Sequence, residues 1–308
     1  MSNAMLGFTS PAVATVVIFF VCAYILLKSD FSLTSIIGTN IDRISNIVYR
    51  TAFEKMLDVY SKETIDKSVF EKMSEQYGEQ ATSRRHLLQR IIKKVNNEKN
   101  YMMLYNIMVP EVHCPVKVRV GSLSDGGKWM CNPFWIPKGS VVFSLGMSNE
   151  ISFELELQSI TNTCCFIFGF DGKEQSSATQ HRLSQLRAKS RIAKISGTTE
   201  ENNNKYTIDY LMKLENVTHV EILKADIEGA EMDALPGFLE KHHPAQIMVE
   251  VHYSPPKMAS LLNLISRQGY WLFSHEINGL FHQACEFSFI HVSAFTRYGA
   301  VPLAKFLS

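Results

Sequence analysis

The 308-residue sequence has no excess of charge of either sign: 31 Lys and Arg stand against 30 Asp and Glu, a net of +1. Such a balance offers a polyanion no global attraction, so nucleic acid is not implied as a partner. Its six cysteines form no C-x-x-C pair and show no zinc-type Cys/His spacing, so no metal is expected. Five of them (Cys114, Cys131, Cys164, Cys165 and Cys285) lie beyond the N-terminal region, an odd number that would leave one unpaired even in an oxidising compartment. There is no Asp-x-Asp pair of the kind that holds a metal-bound sugar nucleotide, and no three-glycine dinucleotide loop. No internal repeat is visible.

Charge is also missing from residues 5–27, a run of 23 that is dense in Val, Ile, Phe and Leu from Val13 onward. At 1.5 Å per residue it can cross a hydrocarbon core of roughly 30 Å. The segment before it carries no Lys or Arg, and Lys28-Ser29-Asp30 replaces a small-x-small cleavage site, so an uncleaved signal-anchor is expected over a signal peptide. Residues 1–29 are thus read as a membrane anchor of a single-pass protein. The charges flanking it barely decide orientation. Asn216-Val217-Thr218, an N-glycosylation acceptor, favours a lumenal domain in the secretory pathway. Met1-Ser2-Asn3-Ala4 resembles a cloning remnant and is set aside.

Residues 30–109 read as a helical stalk. Ile41, Ile44, Ile47 and Val48, and later Leu87, Leu88, Ile91, Ile92 and Val95, recur at helical spacing, with Arg84, Arg85, Arg90, Lys93 and Lys94 on an opposite, solvated face. From residue 110 to 308 short apolar runs alternate with helical patterns. Strands are expected at 141–144, 165–170, 192–195, 220–225 and 246–251, and helices at 151–160, 180–189, 207–214, 231–239 and 256–268. That alternation predicts an α/β fold with a mainly parallel sheet, and two final strands, near 271–273 and 287–292, suggest an antiparallel edge.

Polar residues gather at the strand ends, where ligands bind in an open α/β sheet. The first strand ends Ser144-Leu145-Gly146, the second Gly169-Phe170-Asp171, with the acid 25 residues after Gly146, a distance suited to ribose hydroxyls. The fourth ends Ala225-Asp226-Ile227-Glu228-Gly229, and the fifth Glu250-Val251-His252. Each has a plainer explanation: helix capping for Asp226 and Glu228, a turn for Asp171, a structural contact for His252.

The run L-K-A-D-I-E-G-A-E with the later I-M-V-E-V-H resembles the core signature of FkbM-type S-adenosylmethionine-dependent methyltransferases. Thr207-Ile208-Asp209 stands where that family has T-L-D, and Asp125-Gly126-Gly127-Lys128-Trp129 is similar to a metazoan methyltransferase-like branch. The resemblance, over residues 114–292, implies a class I, Rossmann-like methyltransferase domain at 110–308 with S-adenosylmethionine as cofactor. Ser144, Gly146, Asp171, Asp226 and Glu228 would bind the cofactor, and Asp226, Glu250 and His252 would be catalytic. Where the broader family has an acid and a second glycine around the loop, this chain has Ser144, shared with the metazoan branch, and Glu150.

Methyl transfer to oxygen needs positioning and removal of a proton, for which clustered carboxylates or an imidazole are suited. The expected activity is methylation of a small molecule or glycan hydroxyl. The alternatives are a non-catalytic methyltransferase-like binding protein and, against the missing Asp-x-Asp, a membrane-anchored glycosyltransferase.

Overall fold

In chain order, the computed structural model begins with helices α1 (Lys67–Lys93) and α2 (Tyr101–Ile107), strand β1 (Val112–His113) and a hairpin of β2 (Lys117–Val120) and β3 (Lys128–Cys131). There follow β4 (Val141–Leu145), α3 (Ser152–Ile160), β5 (Phe166–Asp171), α4 (Ser177–Ser184), β6 (Ala188–Ile192), β7 (Lys194–Ile195), β8 (Lys205–Tyr206) and α5 (Ile208–Leu214). The chain closes with β9 (Ile222–Ala225), α6 (Glu231–Leu239), β10 (Gln246–Val251), α7 (Pro255–Arg267), β11 (Tyr270–Ile277), β12 (Cys285–His291), α8 (Phe295–Tyr298) and β13 (Val301–Pro302). The structure describes residues 67–93, 100–123, 125–279 and 281–308. The expected anchor at 5–27 and the stalk positions up to 66 lie outside them. Among the described residues, no helix is long and apolar enough to cross a membrane.

Seven strands make one sheet in the order β11-β12-β10-β9-β4-β5-β6. β10, β9, β4, β5 and β6 are parallel, and β12 runs antiparallel to both β10 and β11. The antiparallel strand is therefore inserted one place in from the edge. The chain leaves β4 outward to β6 and then returns to β9 on the other side of β4. That reversal is the switch point at which open α/β sheets form their ligand crevice.

The central strands are buried on both faces, and side chains alternate between two cores. Phe143, Leu145, Leu223, Ala225, Ile247, Val249, Phe287 and Phe289 pack on one face. Val142, Ile167, Ile222, Met248 and Ile290 pack on the other. By the same period of two, Ser144, Lys224, Glu250 and Glu286 belong to the second face. The β2–β3 hairpin lies there too, through Val120, Met130 and Cys131. A Cys114–Cys131 disulfide fixes its base, and Gln246 on β10 both donates to the Cys131 carbonyl (2.7 Å) and accepts its N–H (2.8 Å). Cys164 and Cys165 are bonded to each other, and Cys285 is free and buried.

Residues Ser68–Ser308 form one compact unit. Ala81, Leu88 and Ile91 of α1 and Tyr101, Leu104 and Tyr105 of α2 belong to the first core. Two arginines of the expected solvated face bind main chain: Arg84 reaches the Ile107 carbonyl (2.9 Å), and Arg85 those of Lys305 and Ser308 (2.8 and 3.0 Å). Between β5 and β7 the expected boundaries are corrected. The helix ends at Ser184 instead of 189, and the main-sheet strand is Ala188–Ile192 instead of 192–195. β6 is an edge strand with three of its five residues exposed to solvent and none buried, so it lacks the apolar run that marks a buried strand. Lys194 and Ile195 pair instead with β8 in a separate two-stranded sheet.

The disulfide closes a short loop, with a sequence separation of 17. Replacing Cys114 and Cys131 together by serine should lower the unfolding free energy by about 3 kcal/mol in urea melts. A variant as stable as the parent would show that the bridge does not hold the hairpin.

Candidate functional site

The crevice floor starts where β4 ends. Gly146 has φ +75°, and a Cβ there would lie 1.7 Å from the Asp226 carbonyl oxygen, so only glycine lets the loop pass this close to the end of β9. Ser148 and Asn149 are also left-handed, at φ 48° and 64°. Side chains hold this conformation. Asp171 Oδ2 accepts the N–H groups of Met147 (3.0 Å) and Ser148 (2.7 Å), while Oδ1 accepts that of Lys173 (2.9 Å). Gln175 Oε1 accepts from Asn149 N–H (2.8 Å), and Asn149 Oδ1 from Ser176 N–H (2.7 Å). Glu150, in place of a second loop glycine, accepts the N–H and hydroxyl of Ser152 at the start of α3. It also backs onto the hairpin tip, since a Cβ on Gly126 would meet Glu150 Oε2 at 2.4 Å.

Beside this loop stands a charged row. On β10, β12 and β11, Glu250, Glu286 and Glu276 are directly opposite one another in register. Like charges so placed repel. The hairpin supplies the compensation. Lys128, its side chain fully buried, contacts Glu286, lies 3.4 Å from Glu250 Oε2 and 3.6 Å from Asp226 Oδ2. Arg119 makes a two-oxygen contact with Glu276 (2.9 and 3.0 Å), joined by the Trp129 indole N–H.

These neighbours set the protonation of the cluster. Burial pushes Asp226 up to about 6, with Lys128 opposing and Glu250 adding to the rise. Burial would raise Glu250 too, but His252 and Lys128 hold it well below the usual carboxylate range. Burial takes Glu286 up to about 8 despite Lys128. Lys128 itself is held charged by Glu286, Asp226 and Glu250 against the pull of its own burial. His252 is pushed up to about 10 by Glu231 and Glu250. Its Nε2 lies 3.5 Å from Glu250 and 3.7 Å from Glu228, and its Nδ1 3.9 Å from buried Glu231. At neutral pH the imidazole is cationic and has no lone pair to act as a base. Asp226 titrates near neutrality and can.

The structure thus brings Asp226, Glu228, Glu250 and His252 together, with Gly146 and Asp171 at the adjoining loop. Asp125, Asp226 and Glu250 offer donor atoms within 4.8 Å of one another and could share one small cation; Asp226, Glu228 and His252 lie equally close, but a protonated imidazole is no ligand. Ser144 is not in the crevice. It is fully buried, and its hydroxyl donates to Glu154 Oε1. Lys128, Glu286 and Asp125 were not expected as site residues. Lys128 and Asp125 stood inside the D-G-G-K-W motif, and Glu286 was an acid within an apolar strand, a costly placement that calls for a partner.

S-adenosylmethionine fits this donor set. A carboxylate has about four lone-pair directions. Asp171 spends two on the loop at Oδ2 and one at Oδ1, leaving an acceptor on a half-buried carboxylate for a ribose hydroxyl. The close approach of the Gly146 backbone to β9 gives the loop its place beside it.

The family described as "Methyltransferase domain" matches residues 61–291. No curated protein matches the chain. Among solved structures, it is similar to precorrin-6y C5,15-methyltransferase from Geobacter metallireducens, at 9% identity, covering 51% of this chain and 82% of that one, with a TM-score of 0.35. It is also similar to Aeropyrum pernix fibrillarin in complex with natively bound S-adenosyl-L-methionine, at 8% identity, with coverages of 58% and 84% and a TM-score of 0.36. TrmN from Thermus thermophilus is matched at 14% identity, over 51% and 45%, with a TM-score of 0.33.

Removing Lys128 strands a row of buried acids. Lys128→Met should cost about 3–5 kcal/mol of stability at pH 7, and adding Glu250→Gln, which neutralises the acid held ionised, should recover part of it. Urea unfolding of the two variants measures both. A loss under about 1 kcal/mol in the single variant would mean that the ammonium is not what holds the row.

Proposed function

The chain belongs to the methyltransferase-domain family, and from that premise we propose that it methylates a hydroxyl of a small molecule or glycan, with Asp226 as the general base. The cofactor is S-adenosylmethionine, which when bound supplies an electrophilic methyl group. The observation that carries the proposal is the position and ionisation of Asp226. It sits beside Gly146 at the switch point, 17% exposed, and burial sets it near 6, so it is largely ionised at pH 7 and can still take up a proton.

The neighbouring groups divide the remaining work. The loop amides of Met147 and Ser148 and the Asp171 carboxylate form the part of the site suited to the cofactor's ribose. Lys128, 3.6 Å from Asp226, keeps the carboxylate from rising further and orients it. The cationic imidazole of His252 balances Glu250 and Glu228 through Nε2. Glu250, held ionised, keeps that imidazole charged and in place.

We place the chain within the FkbM-like group and its metazoan branch. The support is that the D-G-G-K-W hairpin inserts its lysine between the acids that L-K-A-D-I-E-G-A-E and V-E-V-H contribute. We also propose a single-pass protein of the secretory pathway, anchored through residues 5–27 with the catalytic domain in the lumen. Disulfides belong to oxidising compartments. The Cys114–Cys131 bridge, the paired Cys164 and Cys165, the buried fifth cysteine and the exposed Asn216 of the glycosylation triplet all favour that side.

Calorimetry of the full chain with S-adenosylmethionine, paired with transfer of a labelled methyl group to candidate acceptors, tests the proposal. Asp171→Ala should weaken cofactor binding tenfold or more. Asp226→Asn should lower kcat by about 10²–10⁴ with cofactor affinity unchanged. In the wild type, kcat should rise with pH through about 6, because only the ionised Asp226 is a base. A full chain that gives no heat and no thermal stabilisation at high cofactor excess would instead favour a non-catalytic binding module, in which Asp171 serves only the loop.

A further inference from the structure

Beneath the crevice, two residues below the acid row on the same sheet face, lies a second polar group. Ser144 on β4 and Lys224 on β9 are direct neighbours in register. Both are buried, Lys224 at 2% exposure and Ser144 at 0%. Glu154, in the first turn of α3 and also fully buried, accepts the Ser144 hydroxyl (2.5 Å) and lies 3.9 Å from Lys224 Nζ. Lys224 Nζ donates to the carbonyl oxygen of Gly146 at 3.3 Å.

We propose that Lys224, held by Glu154 and Ser144, is a positioning residue that presents the 146–150 loop to S-adenosylmethionine; this rests on the methyltransferase reading above. The physical link is the planar trans peptide between Gly146 and Met147. Its C=O and N–H point in opposite directions. An ammonium holding the Gly146 oxygen downward therefore turns the Met147 N–H upward, where Asp171 accepts it at 3.0 Å. The loop needs such a hold, because Ser148 is left-handed without being glycine, a conformation that costs about 1–2 kcal/mol for an ordinary residue. Simple packing does not explain a lysine here. Methionine fills the same volume, and replacing a buried ion pair by neutral residues of similar size is often neutral or stabilising. The charged pair is thus assigned to the loop's geometry.

The double variant Lys224→Met/Glu154→Gln removes both charges together and keeps an acceptor for Ser144. Expected are a rise of tenfold or more in the calorimetric Kd for S-adenosylmethionine and faster amide hydrogen exchange across residues 146–150. The melting temperature should stay at or above wild type. An unchanged Kd and unchanged loop exchange in the folded variant would overturn the positioning role alone. Should the double variant not fold, Glu154→Gln alone carries the same comparison, with a smaller rise in Kd expected and an unchanged Kd counting against the proposal. A wild-type chain that binds no S-adenosylmethionine would overturn the methyltransferase reading and this inference with it.

Discussion

The buried ammonium of Lys128 is the constraint on which the rest of the site depends. Three glutamates stand side by side across β10, β12 and β11, and an aspartate ends the neighbouring β9. No sheet would keep that row in its interior without cations, and every strand of it is already committed to a core on its other face. The cations come from a different part of the chain, the β2–β3 hairpin, which gives Lys128 to Glu250, Glu286 and Asp226 and Arg119 to Glu276. Hairpin and sheet therefore require each other. The disulfide at the hairpin's base and the paired hydrogen bonds from Gln246 fix where Lys128 enters. The site is assembled by long-range contacts, and its charges record that assembly.

Below the acid row the same face repeats the arrangement in a drier setting. Ser144, Lys224 and Glu154 form a buried group that reaches the main chain of the first loop through Lys224. The period of two along β4 and β9 links the levels: Ser144 lies two residues before Gly146, and Lys224 two before Asp226. Each strand thus places one polar side chain in the core and one group in the crevice. This accounts for the polar residues in strands otherwise apolar on both faces. It also explains how a loop with one glycine can hold a shape that three glycines would adopt without support. Asp171, Gln175 and Lys224 replace conformational freedom with hydrogen bonds.

Much of this was legible in the sequence, and the limits were physical. Strands buried on both faces write themselves as apolar runs, so β4, β5, β9 and β10 and the polar residues at their ends could be located, and the acids Asp226, Glu228 and Glu250 with His252 do converge. β6 could not be located correctly, because an edge strand needs no apolar face and its residues read as part of the preceding helix. Ser144 was expected in the crevice from its place beside the loop glycine. The alternation of a strand turns it the other way, into the core with Glu154. Lys128 was visible in a motif, but its partner acids come from strands more than 90 residues later, and local pattern carries no information about that distance. The apolar stripe of α1 was visible too, while its destination, the core of the sheet domain, was not.

The division of labour between Asp226 and His252 follows from the same distribution of charge. A histidine next to a crevice invites the role of base, since its ordinary pKa lies nearest to neutrality. Here it stands among Glu231, Glu250 and Glu228, so it takes up a proton itself and keeps it. Asp226 stands one place further along, where burial raises it and Lys128 restrains the rise, and these opposing effects leave it near 6. The nominal acid has become the group that can accept a proton, and the nominal base has become a fixed cation. That inversion depends on Lys128 reaching Asp226 as well as Glu250 and Glu286. The hairpin that neutralises the row therefore also decides which member of it can do proton chemistry.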